Sequence, residues 1–309
     1  MRCVRLFVGV IAISALGSMT ASGQTVYRLD STSTFQQGCF PPCMCPYLET
    51  SPGRGAFTLT RVGVQNDFDV FEVRDIVWLL ARPSGESLVT GSGKYLIGGA
   101  TAPQHQLILD LSIDKASPER FDSRLQPLVG GFPSIDIGVS INGFFCWDTA
   151  FNVVARPAPA ADVRHYNLGL GSTYQEGCFA PCACPLSGEQ PMRGKLTLVK
   201  LADGPLFTEY AVIGVDTFVI WPAAPSLRLM GGGSYRVGGE VAVTHQMKLT
   251  LADSFGRVDN FDSQLVIGGS NFPFIDITMT INNFFCYDRV LRWYAAPVRP
   301  KVALDTPAP

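Results

Sequence analysis

The segment GCFPPCMCP, residues 38–46, carries three cysteines spaced Cys-x3-Cys-x-Cys, and the same spacing returns in GCFAPCACP, residues 177–185. The recurrence extends well past the cysteines. STFQQGCFPPCMCP (33–46) matches STYQEGCFAPCACP (172–185), and GSGKYLIGG (91–99) matches GGGSYRVGG (231–239). His105–Gln106 recurs as His245–Gln246, and FDSRL (121–125) as FDSQL (261–265). FPSIDIGVSINGFFCWD (132–148) recurs as FPFIDITMTINNFFCYD (272–288). Elements recurring in one order, at offsets of 139 and then 140, mark a tandem duplication, and a unit this long is a domain rather than a solenoid turn. The expected units are 24–159 and 160–300, with the Pro/Ala-rich stretch 156–162 as linker and a frayed tail at 301–309.

Each unit reads as strands. Ile135, Ile137, Val139 and Ile141 alternate with Ser134, Asp136, Gly138, Ser140 and Asn142; Ile275, Ile277, Met279 and Ile281 do the same in the second copy. Leu107, Leu109, Leu111 and Ile113 mark one face of another run. A period of two with one polar face is a half-buried antiparallel strand. Gly and Pro clusters separate such runs at hairpin intervals, and no long segment has helical periodicity. The expected fold is all-β: two tandem homologous antiparallel domains, each a sandwich or a small closed barrel braced by disulfides.

The first 23 residues read as an export signal. Arg2 and Arg5 precede an apolar stretch from Leu6 to about Leu16, and the small residues Ala21 and Gly23 suit cleavage before Gln24. No later run approaches the ~20 apolar residues of a transmembrane helix. Cys3 leaves with the signal, so eight of the nine cysteines remain. An even number in an exported periplasmic or extracellular chain favours disulfides. A metal reading would take Cys39, Cys43, Cys45 and Cys146 as four thiolates, and Cys178, Cys182, Cys184 and Cys286 in the second copy. Familiar zinc sites use tighter paired spacings. A redox reading needs an exposed low-pKa thiolate, which the proline-rich, helix-free context does not supply. Two pairings remain open: Cys39–Cys43 with Cys45–Cys146, which is preferred, or Cys39–Cys45 with Cys43–Cys146.

YRLDSTSTF (27–35), GRGAFTL (53–59) and VTGSGKYLIGGATAPQHQLILDL (89–111) follow one another in an order that resembles the bacterial periplasmic lipocalin-like, isoprenoid-binding family. The resemblance covers the first two-thirds of each unit and implies an eight-stranded antiparallel barrel around an apolar ligand. The cysteines and the FDS and FPSIDI segments lie outside it.

Among chemically capable residues, His105 and His245 are the one duplicated histidine, and each opens an apolar strand. A histidine can serve as ligand or base, but alone on a strand it more often holds structure. Asp122 and Asp262, in the FDS segments, could pair with Asp136 and Asp276 as acids; beside strands such residues usually tie turns. Asp259, Asn260 and Asp262 offer calcium ligands that the first copy lacks. The pairs in FFCWD and FFCYD suggest sugar stacking, with core packing the expected outcome. No nucleophile elbow, phosphate loop, dinucleotide fingerprint or zinc-protease helix stands out, so no cofactor and no catalytic residue is expected.

Lys+Arg number 24 against Asp+Glu 26 with no basic run, which argues against nucleic acid as a partner. The expected role is that of an exported, non-enzymatic structural or binding module, acting on an extracellular protein, an envelope component or a glycan. The alternatives are an apolar small-molecule carrier, or a metal protein using the cysteine clusters.

Overall fold

The alternation is realised as strands in a computed structural model that describes residues 23–221 and 226–298. All but the last residue of the expected export signal, and the expected tail, lie outside the described residues. The first unit contains β1 (Thr25–Leu29), β2 (Thr34–Phe40), β3 (Leu48–Gln65), β4 (Phe68–Arg82), β5 (Gly85–Gly98), β6 (Gln104–Ile113), β7 (Glu119–Asp122), β8 (Gln126–Pro127), β9 (Ile135–Ser140) and β10 (Cys146–Pro157). The second contains β11 (Val163–Leu168), β12 (Thr173–Cys178), β13 (Gln190–Asp203), β14 (Phe207–Val219), β15 (Leu227–Gly238), β16 (Thr244–Asp253), β17 (Val258–Asp262), β18 (Val266–Ile267), β19 (Ile275–Thr280) and β20 (Tyr287–Pro297). No α-helix occurs among the described residues.

All pairings are antiparallel, and each sheet closes on itself. β1 and β2 share one slot between β3 and β10; from there β3-β4-β5-β6-β7-β9-β10 returns to β2. The second sheet repeats this circuit from β11 and β12 to β20. Of the two architectures open to alternating strands, the pairing gives the up-and-down barrel, in which closure removes the exposed sheet edge. The seam is thinnest at Asp122 opposite Ser140, and at Asp262 opposite Thr280.

Inward positions follow the predicted period. On β6, His105, Leu107, Leu109 and Leu111 are buried, while Gln106, Ile108 and Asp110 are only partly so. Ile141, expected as a further inward position, lies beyond the end of β9 and is exposed. Phe151 contacts Phe35, Trp78 and Phe121 at centroid distances of 5.2, 5.4 and 5.3 Å, filling the middle of the first barrel. The second barrel fills the same space differently. Thr217 pairs with Gly194 where Trp78 pairs with Gly55, and Trp293 pairs with Ile277 where Val153 pairs with Ile137. The bulky indole has moved from β4 in one barrel to β20 in the other, as close packing demands when one wall gives up volume.

The expected linker is a short structured turn. Ala160–Asp162 forms one 3-10 turn, Ala158 N donates to Val26 O at 2.9 Å, and Arg28 bonds Asp162 at 2.9 Å and Lys200 O at 3.0 Å. Ala56 and Val77 then pack against Val199, Ala211 and Ile213, joining the barrels through a dry apolar patch.

Candidate functional site

The cysteines form two bridges per barrel, and the pairing corrects the preferred sequence reading. Cys39 joins Cys45 and Cys43 joins Cys146, with Cα–Cα distances of 5.8 and 4.9 Å. Cys178–Cys184 and Cys182–Cys286 repeat the pattern at 5.1 and 4.8 Å. Strand register decides it. Cys146 lies opposite Phe40 in the ladder, and a turn with Cys43 N on Phe40 O at 3.2 Å brings Cys43 back beside that pair. Cys39 N meanwhile bonds Tyr47 O at 2.8 Å, leading Cys45 to Cys39. The glycine of the QGCF run permits this return: a Cβ on Gly38, whose φ is +144°, would lie 2.3 Å from Tyr47 O, and one on Gly177 would lie 2.3 Å from Pro185 O.

The bridged loops carry the exposed aromatics. Met44 is 97% exposed, Trp147 59%, Phe145 54% and Tyr47 50%. Tyr47 stacks on Trp147 with centroids 5.9 Å apart and planes 16° from parallel. In the second barrel Phe284, Phe285, Tyr287 and Leu186 are exposed at the corresponding end. Core packing, expected for FFCWD, holds only for Phe144, which meets Phe40 edge-on at 5.7 Å. The reason is a buried carboxylate. Asp148 accepts N–H bonds from Asn142 at 2.9 Å, Phe144 at 2.7 Å and Thr149 at 2.7 Å, curling the loop so that Phe145 and Trp147 face outward. Asp288 accepts the same set from Asn282, Phe284 and Arg289.

The residues flagged for chemistry hold structure. His105 is buried, with Nδ1 3.1 Å from Tyr95 Oη; His245 has Tyr235 at 3.2 Å. Burial holds both imidazoles below the usual histidine range, against a smaller opposing pull from Asp136 and Asp276. Burial also pushes the Tyr95 and Tyr235 hydroxyls well up, so each pair is a neutral imidazole on a neutral phenol. Asp122 accepts from Gln106 Nε2 at 2.8 Å and Arg124 N at 2.7 Å; Asp262 accepts from Gln246 at 2.8 Å and Gln264 N at 2.7 Å. These are turn-tying contacts.

Two features carry no local sequence signal. Arg289, which stands where the first unit has Thr149, lies buried over the Tyr174 ring at 5.4 Å and binds Asp253 and Asp259. The first barrel places Arg82 over the equivalent Phe35 at 5.1 Å and pairs it with Glu49. The second feature is a cleft of about 760 Å³ between the barrels, lined from both.

No family model, curated protein or solved structure matches this chain.

Proposed function

We propose that this chain is an exported, non-enzymatic binding protein, the product of a tandem duplication, that presents disulfide-braced aromatic loop tips to a partner outside the cytoplasm. The observation that carries the reading is the exposure of Met44 and Tyr47 on the β2–β3 loop and of Phe145 and Trp147 at the start of β10, two segments joined by the Cys43–Cys146 bridge and by the Tyr47–Trp147 stack. Leaving large apolar rings in water is costly, and contiguous ones mark interaction surfaces. A loop fixed in advance loses little conformational freedom on binding, and aromatic anchors dominate interface energetics. The side chains best suited to chemistry, His105 and Asp122, are spent on the fold. An apolar ligand in the lumen would have to displace Phe35, Trp78, Phe121 and Phe151, which speaks for binding at the tips rather than inside. Partners of the kinds expected are an extracellular protein, an envelope component or a glycan, and two tips per chain would raise avidity for a repetitive target.

The test is retention of the purified exported chain on envelope, secreted-protein and polysaccharide fractions of the cell that makes it. The double variant Tyr47→Ser/Trp147→Ser changes exposed residues only, so its fold should persist. At least a tenfold loss of retention is expected; unchanged retention, or no retention of the wild type on any fraction, overturns the reading.

A further inference from the structure

The contact between the barrels has a local two-fold character that the duplication makes legible. Asp75 and Gly214 are equivalent residues at equivalent bulges in β4 and β14, both left-handed with φ of +54° and +59°, and they face each other. On one side of this pair Ala56 and Val77 of the first barrel meet Val199, Ala211 and Ile213 of the second. On the other side stand the counterparts of those five residues: Thr60, Glu72 and Arg74 from the first barrel, and Lys195 and Asp216 from the second. The same contact is thus built twice, once dry and closed, once polar and open. The open half is the cleft of about 760 Å³, a size that accommodates small molecules.

Not all of its charges are paired. Glu72 pairs with Arg74 at 2.7 Å and Asp216 with Arg228 at 2.7 Å, leaving Asp75 and Lys195 outside any ion pair among the described residues. Asp75 is positioned by Thr58 Oγ1 at 3.1 Å, with the Gln24 amide at 3.5 Å. Gly214 leaves the carboxylate uncovered, since a Cβ there would lie 3.7 Å from Asp75 Oδ2. Among the described residues no three His, Cys, Asp or Glu side chains converge, so Asp75 suits an ammonium group better than a metal ion. Burial raises the Asp75 carboxyl above the usual range, against smaller opposing pulls from the Thr58 hydroxyl, Arg74 and Lys195.

We propose that this cleft binds a zwitterionic ligand of the amino-acid or short-peptide class, its ammonium on Asp75 and its carboxylate on Lys195. The site is independent of the aromatic tips.

The test titrates the whole mature chain, labelled with 15N, with tri-alanine, N-acetyl-tri-alanine and tri-alanine amide, following the Thr58, Lys195 and Gly214 amides. Saturable shifts with tri-alanine are expected, with affinity at least tenfold weaker for either blocked peptide and for Asp75→Asn or Lys195→Met. Gly214→Asn, which keeps a residue tolerant of left-handed backbone but covers Asp75, should abolish binding. The blocked peptides require no variant, so misfolding of a mutant cannot shelter the proposal. Absence of saturable shifts overturns it. Equal binding of tri-alanine and its N-acetyl form overturns it too, and is the result expected if the chain's own amine at Gln24 serves Asp75.

Discussion

Removing one disulfide at a time should separate a loop-length effect that the strand register makes large. Cys43–Cys146 closes a loop with a sequence separation of 103, whereas Cys39–Cys45 spans 6. On the chain-entropy relation, stabilisation grows with the logarithm of loop length, giving about 4.7 kcal/mol for the long bridge and about 2.2 kcal/mol for the short one. β2 and β10 are already paired beside the long bridge, Phe40 opposite Cys146, so the bond adds little new geometry to the folded state. Its effect should therefore fall mainly on the unfolded chain. The variants are Cys43→Ala/Cys146→Ala and Cys39→Ala/Cys45→Ala, each unfolded in urea without reductant. With an m-value of about 1.5 kcal/mol/M, the midpoint of the first barrel should drop by about 3 M and about 1.5 M respectively. Thiol titration of the unfolded variants should find no free cysteine. The other pairing would strand Cys39 and Cys45 in the first variant. Equal costs for the two bridges would refute the reasoning, because a bond acting on the unfolded ensemble must depend on the loop it closes.

Three further outcomes follow from the packing. Gly38→Ala places a methyl 2.3 Å from Tyr47 O, a backbone atom that cannot swing aside; urea unfolding should show a loss of more than about 1 kcal/mol, with the short bridge slower to form. Trp78→Thr copies the second barrel's residue without its compensating Trp293, so the cavity should cost about 3–5 kcal/mol in the same assay. His105 and His245 have lowered folded pKa values, so the unfolded chain takes up protons first as pH falls. Their contribution is whole above the ordinary histidine value of 6.5 and is lost as pH drops from there through the lowered folded values, with a slope of at most about 1.4 kcal/mol per pH unit for each. NMR titration of the two imidazoles should give midpoints below 6.5; midpoints at or above it would remove the effect.

The fold was largely legible because its signals are local. Alternation at Leu107, Leu109 and Leu111 marked an inward strand face, and the recurrence of the Cys-x3-Cys-x-Cys run marked a second domain. Closure into a barrel was not legible: it depends on β10, already beside its sequence neighbour β9, also finding β2, a pairing between segments more than 100 residues apart. Disulfide pairing failed for the same reason, since it follows from Phe40 standing opposite Cys146 rather than from spacing. Trp147 reads as a core residue because its segment looks like a strand around a cysteine; Asp148, collecting three backbone N–H groups, turns it outward. The cleft had no sequence signature at all, because Asp75 and Lys195 lie in different units and line one cleft only through the packing of β3 and β4 on β13 and β14.

The account rests on the bridged tips being the surfaces that bind. Oxidative footprinting of the purified chain, free and mixed with a fraction that retains it, reads this residue by residue. The account predicts protection at Met44, Tyr47, Phe145 and Trp147, and at Phe284, Phe285 and Tyr287 in the second barrel. Protection confined to the barrel walls, with the tips as reactive as in the free chain, would contradict it.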